Sequence, residues 1–413
     1  MNVELISIGD ELLIGQTVNS NAAYLGSELT SLGLDVKWVT TVGDDAEELT
    51  TALKRAMARS DVVITTGGLG PTHDDITKKV AAQFFDSAFV FKPEILERLK
   101  KAFAKRGLVM SAVNEDQANV PEKAEIIDNP VGTAPGFLFT AAGKKCFILP
   151  GVPAEMKAMC QASVFPRLKS PGQTILLKTL RTTGIPESNL FERLHSLISK
   201  ADYVKVAFLP KIGGVDIRLT VKGTDAMACQ QNMEKALTQF QEKIGDYLYG
   251  YGEEPLEEVV ARLLIENKKS LAVAESCTGG LLAHKLTNIS GSSNYFERGV
   301  VAYSNQAKMD ILGVRQSTLE KFGAVSSQTA VEMAEGVKGI SSVDFGLSTT
   351  GIAGPTGGTT EKPVGLVYIG FAGASGSYAR EFRFFKNRLN NKERSVQAAL
   401  NILRTELEHL SKT

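Results

Sequence analysis

Three adjacent side chains able to attack a carbonyl, Ser276, Cys277 and Thr278, stand in the stretch Leu271 to Leu282, LAVAESCTGGLL. A short apolar run stops at a Glu-Ser-Cys-Thr-Gly-Gly turn and a helix-like pattern follows, which reads as strand, tight turn, helix. Such a junction brings backbone N–H groups to the positive end of a helix, beside any oxyanion that nucleophilic attack creates. Serine and threonine need a partner base there, and cysteine needs a lowered pKa. A Ser or Thr at this place can equally cap the helix while Cys277 packs as a small apolar residue. The stretch alone leaves both readings open.

Two acidic clusters mark the other end of the chain. Asp10 and Glu11 close a strand-like VELISIG, and Asp74 and Asp75 follow the glycine turn Gly67-Gly68-Leu69-Gly70-Pro71-Thr72. Glycines let the backbone approach a phosphate, and carboxylates beside it can hold a bridging divalent cation. Helix capping by Asp74 and Asp75 is the plainer alternative. A third signal is CFILPGVPAEM, in which Pro150, Gly151 and Pro153 make a rigid turn off a buried strand and Glu155 opens a helix.

The elements that must position these groups belong to more than one domain, because 413 residues exceed a single ordinary core. Residues 2 to 168 alternate strand-like and helix-like patterns, as in a layered α/β domain with a largely parallel sheet. Ser170-Pro171-Gly172-Gln173 reads as a boundary, and the segment 169–250 carries a Lys211-Ile212-Gly213-Gly214-Val215 hairpin within a small α+β module. Residues 251–413 form the last domain, in which Pro255 to Asn267 reads as an amphipathic helix leading into the Ser276 stretch.

Composition narrows the class. Lysine plus arginine and aspartate plus glutamate each number 46, with no long basic run, so bulk charge favours neither nucleic acid nor an anionic membrane. The four cysteines, Cys146, Cys160, Cys229 and Cys277, are scattered without a CxxC pair, which fits a reducing compartment. A strand-like pattern begins directly after Met1, and no apolar run is long enough to span a bilayer. These features predict a cytoplasmic protein that engages neither nucleic acid nor membrane.

Longer motifs make a resemblance specific. SIGDELLIGQTVNSN, TTGGLGPTHDDIT and ILPGVPAEM resemble the N-terminal domain of the CinA family, whose fold is shared with molybdopterin-binding proteins. The resemblance implies a metal-dependent ADP-ribose pyrophosphatase there, with a phosphate and metal site drawn from Asp10, Glu11, Gly67, Gly68, Gly70, Asp74, Asp75 and Glu155. Asp74 and Asp75 would be the metal ligands, for a divalent cation with a monovalent ion such as potassium beside it. The middle segment resembles the family's KH-type connector, but no GXXG loop flanked by basic residues is found, which predicts a packing or hinge role rather than RNA binding.

AESCTGG, FERGVVAYSNQAK and GIAGPTGG, in that order, resemble the nicotinamide mononucleotide deamidase domain of the same family. The resemblance implies a Ser-Lys amidohydrolase without a cofactor, with Ser276 as nucleophile, Lys308 as base and Tyr303 as proton relay or orienter. His284, two helical turns beyond Ser276, is the poorer base on reach. The implied substrate carries a phosphate and an amide, for which Thr278, Gly279, Gly280, Gly351, Ala353, Gly354, Gly357 and Gly358 offer close backbone approach and Arg388 and Arg394 offer charge. The expected partners are nicotinamide mononucleotide, ADP-ribose and a second copy of the chain in a homodimer. Two rivals stand beside this reading: a non-catalytic pyridine-nucleotide sensor or scaffold linked to competence and DNA damage, and a molybdopterin-handling protein.

Overall fold

The computed structural model describes residues 1–410 except Pro71, His73, Asp74, Arg106, Leu108, Ser170, Pro171 and Lys386, and the side chain of Ala112. Asp74 and the Ser170-Pro171 start of the expected boundary thus lie outside the described residues. The chain divides into two compact units, Met1–Ile175 with Lys222–Asp225, and Leu176–Val221 with Ala226–Thr413.

In the first unit a six-stranded sheet runs in the order Asp35–Val42, Asn2–Ile8, Val62–Thr66, Lys144–Leu149, Gly136–Ala141, Glu125–Ile127. The first four strands are mutually parallel, Gly136–Ala141 runs antiparallel to them, and Glu125–Ile127 pairs antiparallel with Gly136–Ala141. Alternation along the strands feeds two cores: Ile6, Ile8 and Val63 pack in one, Val3, Leu5, Val62 and Ile64 in the other. Both faces of this sheet are therefore covered, the arrangement that a mostly parallel sheet requires. The helix read near Asn19 spans Ser20–Ser31, and the Asn19 side chain caps it by accepting from Ala22 N.

The second unit carries two sheets. The connector strands lie in the order Lys205–Lys211, Gly214–Gly223, Thr174–Thr183, Leu248–Tyr251, with the expected hairpin at Lys211 and Gly214. Helices Glu187–Ile198 and Ala226–Ile244 share a core with this sheet through Leu190, Leu194, Met233 and Phe240. The five-stranded sheet is ordered Phe296–Val301, Leu271–Glu275, Phe345–Gly351, Leu366–Gly373, Gly376–Arg383. Its first three strands are parallel, and the register sets Glu275 opposite both Val301 and Thr349. Three strand ends, distant in sequence, thus open side by side at the C-terminal end of the parallel strands, where α/β sheets hold ligands. The strand Leu271–Glu275 is buried throughout because both of its faces are covered: Leu271 and Val273 enter one core, Ala272 and Ala274 the other.

Candidate active site

The turn after Leu271–Glu275 is held by its own last carboxylate. Glu275, 1% exposed, accepts N–H bonds from Gly280 (2.9 Å), Leu282 (3.0 Å) and Ala283 (2.8 Å). These are among the donors that a helix start leaves unpaired, and a carboxylate at that end also suits the helix dipole. Gly279 and Gly280 take φ of +61° and +93°, so the reversal needs residues without a side chain. Ser276, fixed by its N–H to Thr349 O at 2.9 Å, follows directly and lines a cavity of about 260 Å³ with Cys277, Tyr303, Lys308, Thr350, Gly351, Ala353, Gly354 and Arg388.

Lys308 reaches the serine from the neighbouring strand's continuation. Ser304 caps the helix Asn305–Leu312 by accepting from Ala307 N at 3.0 Å, and Lys308 sits in its first turn. Helical side chains slant toward the N-terminus, so the amine turns back over the residues just before the helix. Its Nζ donates to Ala302 O (2.8 Å) and Tyr303 O (3.1 Å) and lies 3.1 Å from Ser276 Oγ. The residue is fully buried, and among the described residues no carboxylate pairs with it. Burial lowers its pKa from the ordinary lysine value, and the Cys277 sulfur acts more weakly in the opposite direction. A neutral amine matches the three neighbours: two N–H groups for two carbonyls, one lone pair for the serine proton.

Cys277 is 6% exposed, and desolvation pushes its thiol up to about 12. It is held as a thiol, a poor nucleophile. His284 is exposed, pairs with Asn288 at 3.2 Å and does not line the cavity.

The remaining residues separate into two groups. Gly351, Ala353, Gly354 and Arg388 line the cavity, and Arg388 donates to Gly354 O (3.0 Å) and to the Tyr303 hydroxyl (3.2 Å). Tyr303 is 61% exposed, so its phenol stands at the mouth on Arg388, while its main-chain carbonyl serves Lys308. The bonds of this tyrosine are therefore to the arginine and the lysine, with none to Ser276. Thr278, Gly279, Gly280, Gly357 and Gly358 do not line the cavity. Thr278 is buried against Thr349 at 2.6 Å, and the Gly280 N–H is engaged by Glu275. Arg394 stacks on Phe385, 4.9 Å from the ring centroid, away from the cavity. Helix phase explains this: six residues past Arg388, Arg394 faces elsewhere on the same helix, Arg388–Leu410.

Two contributors escaped the reading of the sequence. Glu275 was visible only as the acid in AESCTGG, and a strand-end acid does not announce what it accepts. Asn391, 1% exposed, ties the glycine loop to the segment before its own helix, its Nδ2 donating to Ala353 O at 3.0 Å and to Phe385 O at 2.5 Å. No local pattern marks it.

In the first unit, Leu69, Gly70, Thr72, Asp75, Lys78, Lys79 and Gln117 line a cavity of about 330 Å³. The Asp75 carboxylate accepts from Gly70 N (2.7 Å), Thr72 N (2.8 Å) and Thr72 Oγ1 (2.5 Å) and so shapes the glycine loop. Asp10, Glu11, Gly67, Gly68 and Glu155 do not line this cavity. Asp10 exchanges N–H bonds with Asp44, and Glu155 accepts from Asn129 Nδ2 at 2.7 Å. Among the described residues no group of three or more His, Cys, Asp or Glu side chains converges on a metal position. A divalent cation takes six or more oxygen ligands, or a few carboxylates with water. Two carboxylates line the cavity, Asp75, which is engaged in its loop, and Asp116, which accepts from Lys78 at 2.8 Å; these two, with water, are the described residues that would hold a cation.

These features define a two-unit α/β protein with a lysine-backed serine at the C-terminal end of an interior strand, in the parallel part of a mixed sheet. Family models match three consecutive segments: residues 4–170 a probable molybdopterin binding domain, 177–250 the damage-inducible protein CinA KH domain, and 253–407 the CinA C-terminal domain. The chain is 47% identical over 405 residues to a putative competence-damage inducible protein of Thermoanaerobacter pseudethanolicus, and 44% identical over 405 residues to one of Caldicellulosiruptor saccharolyticus, covering 98% of each chain in both cases. A solved structure described as the protein CinA with unknown function, from Thermoplasma acidophilum, is 40% identical, covers 39% of this chain and 94% of its own, and has a TM-score of 0.37. The chain belongs to the CinA family of competence/damage-inducible proteins. Its N-terminal domain is molybdopterin-binding-like and its connector KH-like.

Proposed function

We propose that the C-terminal domain hydrolyses the carboxamide of nicotinamide mononucleotide to nicotinate mononucleotide and ammonia. The observation that carries this reading is the buried Lys308 amine 3.1 Å from Ser276 Oγ, with no carboxylate among the described residues to keep it charged. Ser276 Oγ attacks the amide carbon as its proton passes to Lys308 Nζ. Lys308 then gives that proton to the departing nitrogen, which leaves as ammonia, and an acyl-Ser276 ester remains. Water adds to the ester with Lys308 again accepting the proton, and the carboxylic acid is released as Ser276 recovers its hydrogen. Tyr303 orients the base through its carbonyl and Arg388 through its phenol, and Arg388 is placed for the substrate's anionic end.

A second activity, ADP-ribose hydrolysis with a divalent cation, is proposed for the N-terminal domain. The cavity beside the Gly70–Asp75 loop, with Lys78 and Lys79 on its wall, is what favours it. Both reactions would return products of NAD breakdown to nucleotide synthesis in the cytoplasm. The sensor and molybdopterin-handling alternatives lack a use for a buried lysine, its pKa lowered by desolvation, set against a serine. Incubating the purified protein separately with nicotinamide mononucleotide and ADP-ribose, with and without chelator, and identifying products tests the whole reading. Unchanged nicotinamide mononucleotide would overturn its main part.

A further inference from the structure

The turn that carries Ser276 borders an open notch. Gly279 is exposed, and among the described residues a Cβ placed on it would meet a single atom within 4 Å, the Lys392 Nζ at 3.6 Å. Lys392 lies four residues after Arg388 on the helix Arg388–Leu410, so the two cations share a face. The adjacent Glu393 is turned to Lys285 at 3.0 Å, and among the described residues no carboxylate pairs with Lys392. Its charge is felt at Cys277, where it opposes the dominant effect of burial. An unpaired ammonium thus edges an open space beside the nucleophile and on the same helix face as the cavity's arginine.

We propose that Lys392, together with Arg388, forms the subsite that grips the phosphate of the substrate, making Lys392 a determinant of preference for a phosphorylated nucleotide over its nucleoside. This rests on the amidase reading of the Ser276 site. Lysine offers a compact point charge on a flexible stem, suited to a phosphate in a solvent-facing notch. A lysine that is merely solvated would make no distinction between the two substrates.

The test compares full-length wild type, Lys392→Met and Lys392→Arg in ammonia release from nicotinamide mononucleotide and from nicotinamide riboside, with calorimetric titration of ribose 5-phosphate. Lys392→Met raises KM for the mononucleotide at least tenfold with kcat within a few-fold, and the preference for mononucleotide over riboside falls by the same factor. Lys392→Arg restores most of that preference. Ribose 5-phosphate binds the wild type and loses at least tenfold in affinity with Lys392→Met. An unchanged preference ratio in Lys392→Met overturns the subsite. If the wild type releases ammonia from neither substrate, the amidase reading fails by itself. The titration then decides on Lys392: weakened binding supports the subsite, and equal binding or none to the wild type overturns it.

Discussion

At the scale of single residues, the choice between Ser276 and its neighbour turns on proton affinity. A thiol near 12 is almost wholly protonated at pH 7, whereas Ser276 has a base in hydrogen-bond reach. Ser276→Ala should therefore lower ammonia release from nicotinamide mononucleotide by about 10³-fold or more, while Cys277→Ala keeps most of it. Comparable losses in the two variants would transfer the role to Cys277. The Lys308 amine yields a pH prediction whose sign follows from its lowered pKa. The proposed base works in its neutral form, so activity should be lost as pH falls through that pKa and rise with pH along a limb centred below the ordinary lysine value of about 10.4. Lys308→Met should abolish turnover together with the limb. Lys308→Arg should not rescue it, because guanidinium keeps its proton throughout this range. A normal rate with the same limb in Lys308→Met would discard the Ser-Lys mechanism.

At the scale of elements, the reactive geometry depends on how a strand ends. Glu275 gathers three N–H groups of the following turn and helix, and this fixes where Ser276 points. Glu275→Gln puts an amide N–H among those donors, and at least one of them loses its acceptor in a buried place. A loss of about 1–3 kcal/mol in urea-unfolding free energy is expected, with a fall in kcat larger than any change in KM. Unaltered stability and kcat would show that the turn holds itself. The strand-turn-helix around Ser276 was legible because it is local, written in an apolar run, two glycines and a helical period. The helix read between Pro255 and Asn267 is likewise found at Leu256–Glu266, with those two residues as its caps. Tyr303 was legible as a member of the site but not in its orientation, since which atom of a residue faces the base depends on how the chain leaves the strand. Choosing between Arg388 and Arg394 needed helix phase relative to a loop far away in sequence. For the N-terminal carboxylates, composition pointed to a cluster, whereas the fold uses Asp10 and Glu155 to tie its own loops.

At the scale of the whole molecule, two cavities with unlike chemistry occur on one chain, one in each compact unit. If each works with its own residues, a chelator and a lysine variant should act on opposite halves. EDTA should stop ADP-ribose hydrolysis and spare ammonia release, and Lys308→Met should do the reverse, as product analysis on the full-length protein would show. An amidase that dies with EDTA would contradict that separation. No helix among the described residues is long and apolar enough to cross a membrane.

The helix Arg388–Leu410 gives the site a history as well as a shape. Its first residue closes the cavity mouth, Asn391 pins the glycine loop, and Arg404 further along donates to Asp246 O at 2.6 Å in the connector. The reactive pair, Ser276 and Lys308, leaves the ribosome several seconds before this helix at ordinary rates of synthesis. In that interval Ser276 and Lys308 exist without the arginine that lines their cavity or the Asn391 bond that holds the glycine loop. On the amidase reading, catalysis waits for this helix: a nascent chain that stalls short of Arg388 carries Ser276 and Lys308 without the arginine and the tethered loop that complete their cavity.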